Sequence, residues 1–466
     1  MSATHRDARV RLTRTLVVLM NPNAVFKAYD IRGRSDTGEL DFDLYELVGN
    51  AFARLLETPV IAVGRDSRTS SFGFFDALTR GITAAGTDVV DLGEVPTDVV
   101  YFYSGAHDVP GAMITASHNP AEYNGLKLCR RSAAPVGEDT GLTEIKESVV
   151  ARRRVTSVLF GSISTADPVP DYVDHLFSIV DPLSIGSLRV AVDGGNGMAG
   201  VAIADVFDRI EATLEGLYLE PDGTFPNHPA DPLVPENLAD LVGLVEAGDF
   251  DLGVAFDGDA DRAFFLDDNG VSLSGSTITS LIARRLLVDN PGATVVHNLI
   301  TSHAVPEIVR EVGGTPLKTR VGHSFIKQIM AETDAVFGGE HSGHYYFRDN
   351  FRADSGMLAM LFLLSILSED GRPLSELRQD VERYSGSGEI NFEVPDVAAA
   401  LLLVENSVYN AAIDHTDGLT VDYGEEWFNL RPSNTEPLLR LNVEAATPER
   451  VEMIVERIWK ILKEDE

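Results

Sequence analysis

The sequence predicts an α/β protein made of three successive βα layers and a smaller α+β unit. Three observations carry that reading. From Phe26 to about residue 385, short apolar strands alternate with helix-length stretches, which is the mark of α/β sheets. At 466 residues the chain is too long for one core, and usual domain sizes imply about three or four. Past Ser385-Gly386-Ser387-Gly388, read as a linker, the pattern changes to strands closed by one helix.

The first unit, residues 20–165, reads as strands Val60–Val63, Val89–Leu92 and Gly111–Ile114 with helices Phe42–Leu56 and Phe74–Ala85. The second, 166–270, opens on helix Asp171–Val180 and runs through strand Leu188–Val192 into the glycine-rich turn Asp193–Gly197. It ends in strand Leu252–Phe256. The third, 271–385, sets strands Ala293–Val296 and Ala335–Phe337 among helices Ser276–Leu287, Ala304–Val312, Ser324–Met330 and Ser355–Leu367. The fourth, 386–466, holds strands Ile390–Glu393, Leu419–Tyr423, Glu426–Leu430 and Leu438–Val443 and helix Pro448–Leu462. Residues 1–19 contain an apolar stretch, Leu16–Leu19, too short for a signal core or membrane span, and are expected to be a disordered extension before Met20. The apolar run Met357–Leu363 and its continuation reads as a buried helix, too short to cross a bilayer.

Composition narrows the function. Lys+Arg 38 against Asp+Glu 72 leaves a net charge of -34, which argues against nucleic acid and anionic membrane as partners. An anionic substrate must then bind in a locally basic cleft. The acidic residues are dispersed and only 7 of the cations are lysine, so a solvated surface suited to high salt is expected. The single cysteine, Cys129, lies in an apolar run and is expected to be a buried thiol; no disulfide forms within the chain, which fits a reducing cytoplasm.

Four motifs carry chemistry. Thr115-Ala116-Ser117-His118-Asn119-Pro120 follows a buried strand, so Ser117 stands where a strand hands over to a loop, a place for a nucleophile or for a plain polar turn. Tyr123–Lys127 returns as a second strand carrying one cation, and in an arginine-rich chain a lysine there suggests proton transfer. Asp257-Gly258-Asp259-Ala260-Asp261-Arg262 spaces three carboxylates two apart on a turn, a hard-oxygen donor set for a divalent cation, expected to be Mg²⁺. It lacks the Gly and Glu of a helix–loop–helix calcium loop, whose places hold Arg262 and Asp268. Gly339-Glu340-His341-Ser342-Gly343-His344 offers donors and acceptors suited to sugar hydroxyls, with a metal site as the alternative. Arg431-Pro432-Ser433-Asn434-Thr435-Glu436-Pro437, with Arg440, pairs guanidinium forks with hydroxyls and turn amides, as a phosphate requires. Near the first motif, Arg65 or Arg68 pairs with Asp66 to hold loops, and Tyr29-Asp30-Ile31-Arg32-Gly33 adds a further cation.

These four motifs, in this order from Phe26 to the C-terminus, resemble those of the α-D-phosphohexomutase family. The resemblance implies a phosphohexomutase-like architecture: three α/β sandwich domains and a smaller α+β C-terminal domain around a central cleft. It implies that Ser117 is a phosphoserine, that Asp257, Asp259 and Asp261 with an oxygen at Ser117 hold Mg²⁺, and that Lys127 and His118 serve proton transfer. Tyr29, Arg32 and Arg262 match cleft residues, Glu340 and Ser342 the pair that grips sugar hydroxyls, and His344 a histidine beside them. Arg431, Ser433, Asn434 and Thr435, with Arg440, match the loop for the non-reacting phosphate. Glu340–His344 followed by Tyr345-Tyr346-Phe347 is similar to the phosphomannomutase/phosphoglucomutase branch; the phosphoglucosamine branch usually has Gln in the variable place. Two departures stand out: Asp98 follows Thr97 where proline is common, and strand Val295–Ile300 lacks a lysine found in some members, leaving Lys318 or His323 as substitutes.

The implied reaction interconverts hexose 1-phosphate and hexose 6-phosphate of mannose or glucose, with glucose 1,6-bisphosphate or mannose 1,6-bisphosphate as activator. The expected protein is cytoplasmic, a monomer or homodimer, and binds small hexose phosphates. Phosphoglucosamine mutase is the near alternative. A metal-dependent sugar phosphatase, or a sugar-phosphate-binding protein without catalysis, is the remoter one.

Overall fold

The computed structural model describes residues 21–432 and 438–463; the extension expected over residues 1–19 lies outside them. Four sheets follow one another along the chain. The first runs in the order Ile31–Arg34, Tyr123–Cys129, Gly111–Ile114, Val60–Arg65, Asp88–Glu94, Ile163–Thr165. Gly111–Ile114 is parallel to Val60–Arg65 but antiparallel to Tyr123–Cys129, so the chain turns from a parallel layer into a hairpin at the loop carrying Ser117. The second sheet, in the order Ala263–Leu266, Leu252–Phe256, Arg189–Asp193, Thr213–Leu217, has its antiparallel pair across the aspartate loop. The third runs Thr315–Thr319, Thr294–Asn298, Phe337–Gly339, Tyr345–Phe347 and turns antiparallel across the Glu340 loop. The fourth is antiparallel throughout, in the order Ser385–Glu393, Leu438–Ala445, Trp427–Pro432, Leu419–Asp422, Ala412–Asp414. The first three motifs therefore sit between paired antiparallel neighbours, with hydrogen-bonded strands at both ends of each loop, and Arg431 and Pro432 of the fourth end strand Trp427–Pro432.

Helices cover these sheets as the periodicity predicts. Phe42–Leu56 starts on Asp41, whose side chain accepts from Leu44 N at 2.7 Å, and buries the stripe Leu44, Leu47, Val48, Ala51 and Phe52. Gly356–Asp370 is buried from Gly356 through Leu367, has no polar face, and is capped by Ser355. One continuous core runs through the first three units, taking in Met113, Tyr172, Phe256, Phe337 and Leu363. The fourth unit has its own core around Val421, Leu430, Leu441 and Val451, and meets the third through Leu299, Ile300 and Trp427. No helix among the described residues is long and apolar enough to cross a membrane.

Two expectations are corrected. Ser385–Gly388 is not a linker: it opens the edge strand Ser385–Glu393, which pairs with Leu438–Ala445. The register shifts between Gly386 and Glu389, and Ser387 Oγ accepts from Val443 N at 2.9 Å in place of a ladder carbonyl, so the Ser/Gly stretch is a β-bulge. The strand read at Ala335–Phe337 spans Phe337–Gly339. Asp334 ends the preceding helix in the left-handed region and Ala335 N donates back to Met330 O at 3.2 Å, so Ala335 belongs to the helix stop.

Candidate active site

Ser117 lies just beyond strand Gly111–Ile114 with φ at 54°, a conformation L residues seldom hold without help. Arg68 supplies that help. Its guanidinium donates to the carbonyls of Ser117 (2.8 Å), Asn119 (2.6 Å), Pro120 (2.6 Å) and Tyr123 (3.1 Å), while Nε pairs with Asp66 at 3.0 Å. Of the two arginines considered for Asp66, the structure chooses Arg68; Arg65 pairs with Asp91 at 2.8 Å. Arg32 braces the far side, donating to Asn119 Oδ1 and Asp30 Oδ2, each at 2.7 Å. Ser117 Oγ donates to Asp257 Oδ2 at 2.6 Å, lies 3.3 Å from His118 Nδ1, and accepts from Arg262 Nη2 at 3.3 Å. Burial, with Arg262 and Arg32 nearby, keeps the His118 ring neutral well below the usual imidazole range.

The aspartate loop reaches this serine because residue 258 is glycine: a Cβ there would stand 2.4 Å from the Ser117 carbonyl oxygen. Arg262 pairs with Asp257 Oδ2 at 2.8 Å through Nη2. Lys127 Nζ lies 2.7 Å from Asp259 Oδ2 and 2.5 Å from Asp261 Oδ2. These two carboxylates overcome burial and hold Lys127 as an ammonium. In this arrangement the lysine supplies charge to the Asp259–Asp261 pair. Burial pushes Asp257 upward against Arg262, with Asp259 and Asp261 adding to the push. Carboxylate oxygens of Asp257, Asp259 and Asp261 lie within 4.8 Å of one another. Asp259 Oδ1 and Asp261 Oδ1 are buried without a hydrogen-bond partner. Buried hard oxygens without a hydrogen-bond donor fit a divalent cation.

The Glu340 loop closes on the same cluster. Glu340 Oε1 accepts from Gly322 N at 3.2 Å, and Ser342 Oγ donates to Glu340 Oε2 at 3.1 Å. His344 Nδ1 is 3.2 Å from Ser342 Oγ, and its Nε2 is 3.8 Å from both Asp261 and Asp354. Asp354 in turn pairs with buried Lys327 at 2.7 Å, which already supplies positive charge there. Burial holds His344 below its ordinary value and His341 down to about 3, so the loop presents neutral imidazoles.

At the fourth unit, Arg431 and Arg440 face each other across paired strands and share Glu389, at 2.9 Å and 3.1 Å. Ser433, Asn434 and Thr435 lie outside the described residues, as does the His323 side chain. Tyr29 is partly buried, with Asp30, Arg32, Glu340 and Arg431 all acting on its hydroxyl. Lys318, exposed on strand Thr315–Thr319, binds Asp414 at 2.8 Å and bridges the third and fourth units.

Four family models match the chain in order: phosphoglucomutase/phosphomannomutase alpha/beta/alpha domain I over residues 23–154, domain II over 170–270, domain III over 274–384, and the C-terminal domain over 389–461. The chain belongs to the phosphoglucomutase/phosphomannomutase family. Among curated relatives of this family, the phosphohexose mutases of Xanthomonas campestris are 40% identical over 423 residues, 90% of this chain and 94% of theirs. A phosphomannomutase of Escherichia coli is 39% identical over 432 residues, again 90% and 94%. The crystal structure of a phosphoglucomutase/phosphomannomutase family protein from Burkholderia thailandensis superposes with a TM-score of 0.87 at 32% identity, covering 96% of this chain and 98% of that one. Within this phosphoglucomutase/phosphomannomutase scaffold, reading the sequence missed the residues that hold rather than react. Lys327, Asp354 and Glu389 carry no local motif, and Thr97 stood out only because Asp98 follows it.

Proposed function

We propose that the chain is a hexose phosphate mutase that shifts a phosphoryl group between O1 and O6 of mannose or glucose through a phosphoserine at Ser117. The observation that carries this reading is the 2.6 Å bond from Ser117 Oγ to Asp257 inside an aspartate triplet that also meets Lys127 and lies beside His344. Asp257, Asp259 and Asp261, with an oxygen at Ser117, are the residues that would hold Mg²⁺. When bound, that cation neutralises charge on the transferring group.

The chain's own residues do the rest. Arg262 stands over Ser117 and offsets the charge of its phosphate. Lys127 keeps Asp259 and Asp261 in place and adds a fixed positive charge. A neutral imidazole, His118 beside Ser117 or His344 beside Ser342, accepts the proton of the attacking sugar hydroxyl as its oxygen bonds to phosphorus, and Ser117 Oγ takes up a proton as its own bond to phosphorus breaks. Glu340 and Ser342 grip two sugar hydroxyls, read as O3 and O4. Arg431 and Arg440, with Ser433, Asn434 and Thr435, hold the phosphate that does not react. A bisphosphorylated sugar then turns over so that its ends exchange places, and glucose 1,6-bisphosphate or mannose 1,6-bisphosphate primes Ser117. With O2 left unread, both epimers are accepted.

A coupled assay on mannose 1-phosphate, glucose 1-phosphate and glucosamine 1-phosphate, with a catalytic amount of glucose 1,6-bisphosphate, tests the reading. Comparable turnover of the first two supports it. Turnover of glucosamine 1-phosphate alone, or steady release of inorganic phosphate without sugar 6-phosphate, rejects it.

A further inference from the structure

Behind the aspartate loop lies a buried carboxylate that takes no part in the reaction just described. Asp98 stands in the first turn of helix Thr97–His107 and is 1% exposed. Its Oδ2 accepts from the hydroxyl of Tyr172, on helix Val169–Ile179, and from Ser355 Oγ at 2.9 Å. Ser355 Oγ also caps helix Gly356–Asp370, accepting from Leu358 N at 3.1 Å. A single carboxylate thus joins the first, second and third units at their common core.

Its chain neighbour faces the reacting groups. Thr97 N donates to the Asp259 carbonyl at 3.0 Å, and Thr97 Oγ1 donates to Asp259 Oδ2 at 2.5 Å. Lys127 holds that same Oδ2, which leaves Oδ1 of Asp259 unpartnered and buried. The rotation of the Asp259 carboxylate is therefore set by Thr97 and Lys127 together. The position of Thr97 is set in turn by where Tyr172 and Ser355 anchor the start of its helix. A buried carboxylate is a costly joint: burial raises Asp98 to about 7 although both hydroxyls work against it. An apolar contact would join three helices at lower cost. What the hydroxyl–carboxylate joint adds is direction, since each bond fixes a distance and an angle.

We propose that Asp98 is a positioning residue for the cation site: by clasping Tyr172 and Ser355 it sets Thr97 so that Asp259 presents its free oxygen to a divalent cation. The proposal rests on the reading of the aspartate triplet given above. The partners that hold metal ligands in place typically alter affinity about 10- to 100-fold when removed. The test is Mn²⁺ binding to the metal-free full-length protein, measured by titration calorimetry on wild type, Asp98→Ala and Asp98→Asn. Asp98→Ala is expected to weaken Mn²⁺ about tenfold or more, and to leave the KM for hexose phosphate unchanged at saturating metal. Asp98→Asn keeps an oxygen that accepts both hydroxyls and is expected to restore most of the affinity. A folded Asp98→Ala that binds Mn²⁺ like wild type overturns the proposal. Should Asp98→Ala not fold, Tyr172→Phe and Ser355→Ala each remove one arm of the clasp. Weaker Mn²⁺ binding in either supports the proposal, and wild-type binding in both overturns it. If wild type itself binds no Mn²⁺, the cation reading fails and this inference falls with it, and the failure is visible without any variant.

Discussion

Arg68 donates to four backbone carbonyls of the loop that carries Ser117, two of them through each terminal nitrogen, and is itself held by Asp66. The guanidinium thus replaces the secondary structure that the loop lacks. It keeps Ser117 at its positive φ, with the hydroxyl turned to Asp257. Arg68→Ala leaves Asp66 buried without its cation and is expected to cost about 3–5 kcal/mol in urea unfolding. A shift of the serine by an ångström is expected to lower kcat about 100-fold. Arg68→Lys cannot span the four carbonyls and is expected to rescue neither value, whereas wild-type kcat in that variant would show that the loop holds itself.

The fourth unit gives a prediction of opposite sign. Glu389 occupies both Arg431 and Arg440, so a phosphate held there as proposed must compete with a carboxylate already in place. Glu389→Gln weakens that competitor. The expected gain is about 1 kcal/mol, roughly a fivefold fall in the KM for hexose phosphate. A rise in KM would mean that Glu389 aligns the arginines instead of opposing the ligand.

How much of this was legible is clearest in those two arginines. Arg431 announced itself through a strand end followed by hydroxyls and turn residues, whereas Glu389 lay in a stretch that reads as a linker because glycine and serine mark bulges and linkers alike. The same holds elsewhere. Strands with both neighbours in a buried layer, such as Gly111–Ile114 and Leu252–Phe256, match their expected bounds because every residue is apolar. The edge strands Thr213–Leu217 and Thr315–Thr319 were not foreseen, since an edge exposed to water carries little alternation. Reactive groups sit in compact loops and are read locally. The groups that orient them, Thr97 against Asp259 and Lys327 against Asp354, come from helices far away in the chain, and no local pattern records such pairings.

His228 offers a pH test away from the reacting groups. Its Nε2 is 3.0 Å from Asp193, and the bond to that carboxylate raises the imidazole above its ordinary value. A raised histidine stabilises the fold fully below its unfolded value, about 6.5, and the contribution fades as pH rises through the higher folded value. The urea midpoint of wild type should therefore exceed that of His228→Gln at about pH 5.5 and converge with it near about pH 9. A difference that grows with pH would contradict the assignment.

The net charge of -34 gives a prediction for salt. Raising KCl from about 0.1 M to about 1 M shortens the screening length from about 10 Å to about 3 Å and relieves self-repulsion. The melting temperature is expected to rise across that range. A flat or falling profile would show that the acidic surface carries no such dependence.

The claim at the centre of the account is that Ser117 carries the phosphoryl group. The most direct measurement is intact-mass and peptide analysis of the enzyme after incubation with glucose 1,6-bisphosphate, followed by a chase with glucose 6-phosphate. One added phosphate is expected, located on Ser117, absent from Ser117→Ala, and transferred to sugar during the chase. An active enzyme that never gains phosphate at Ser117, or an Ser117→Ala variant with full mutase activity, would contradict it.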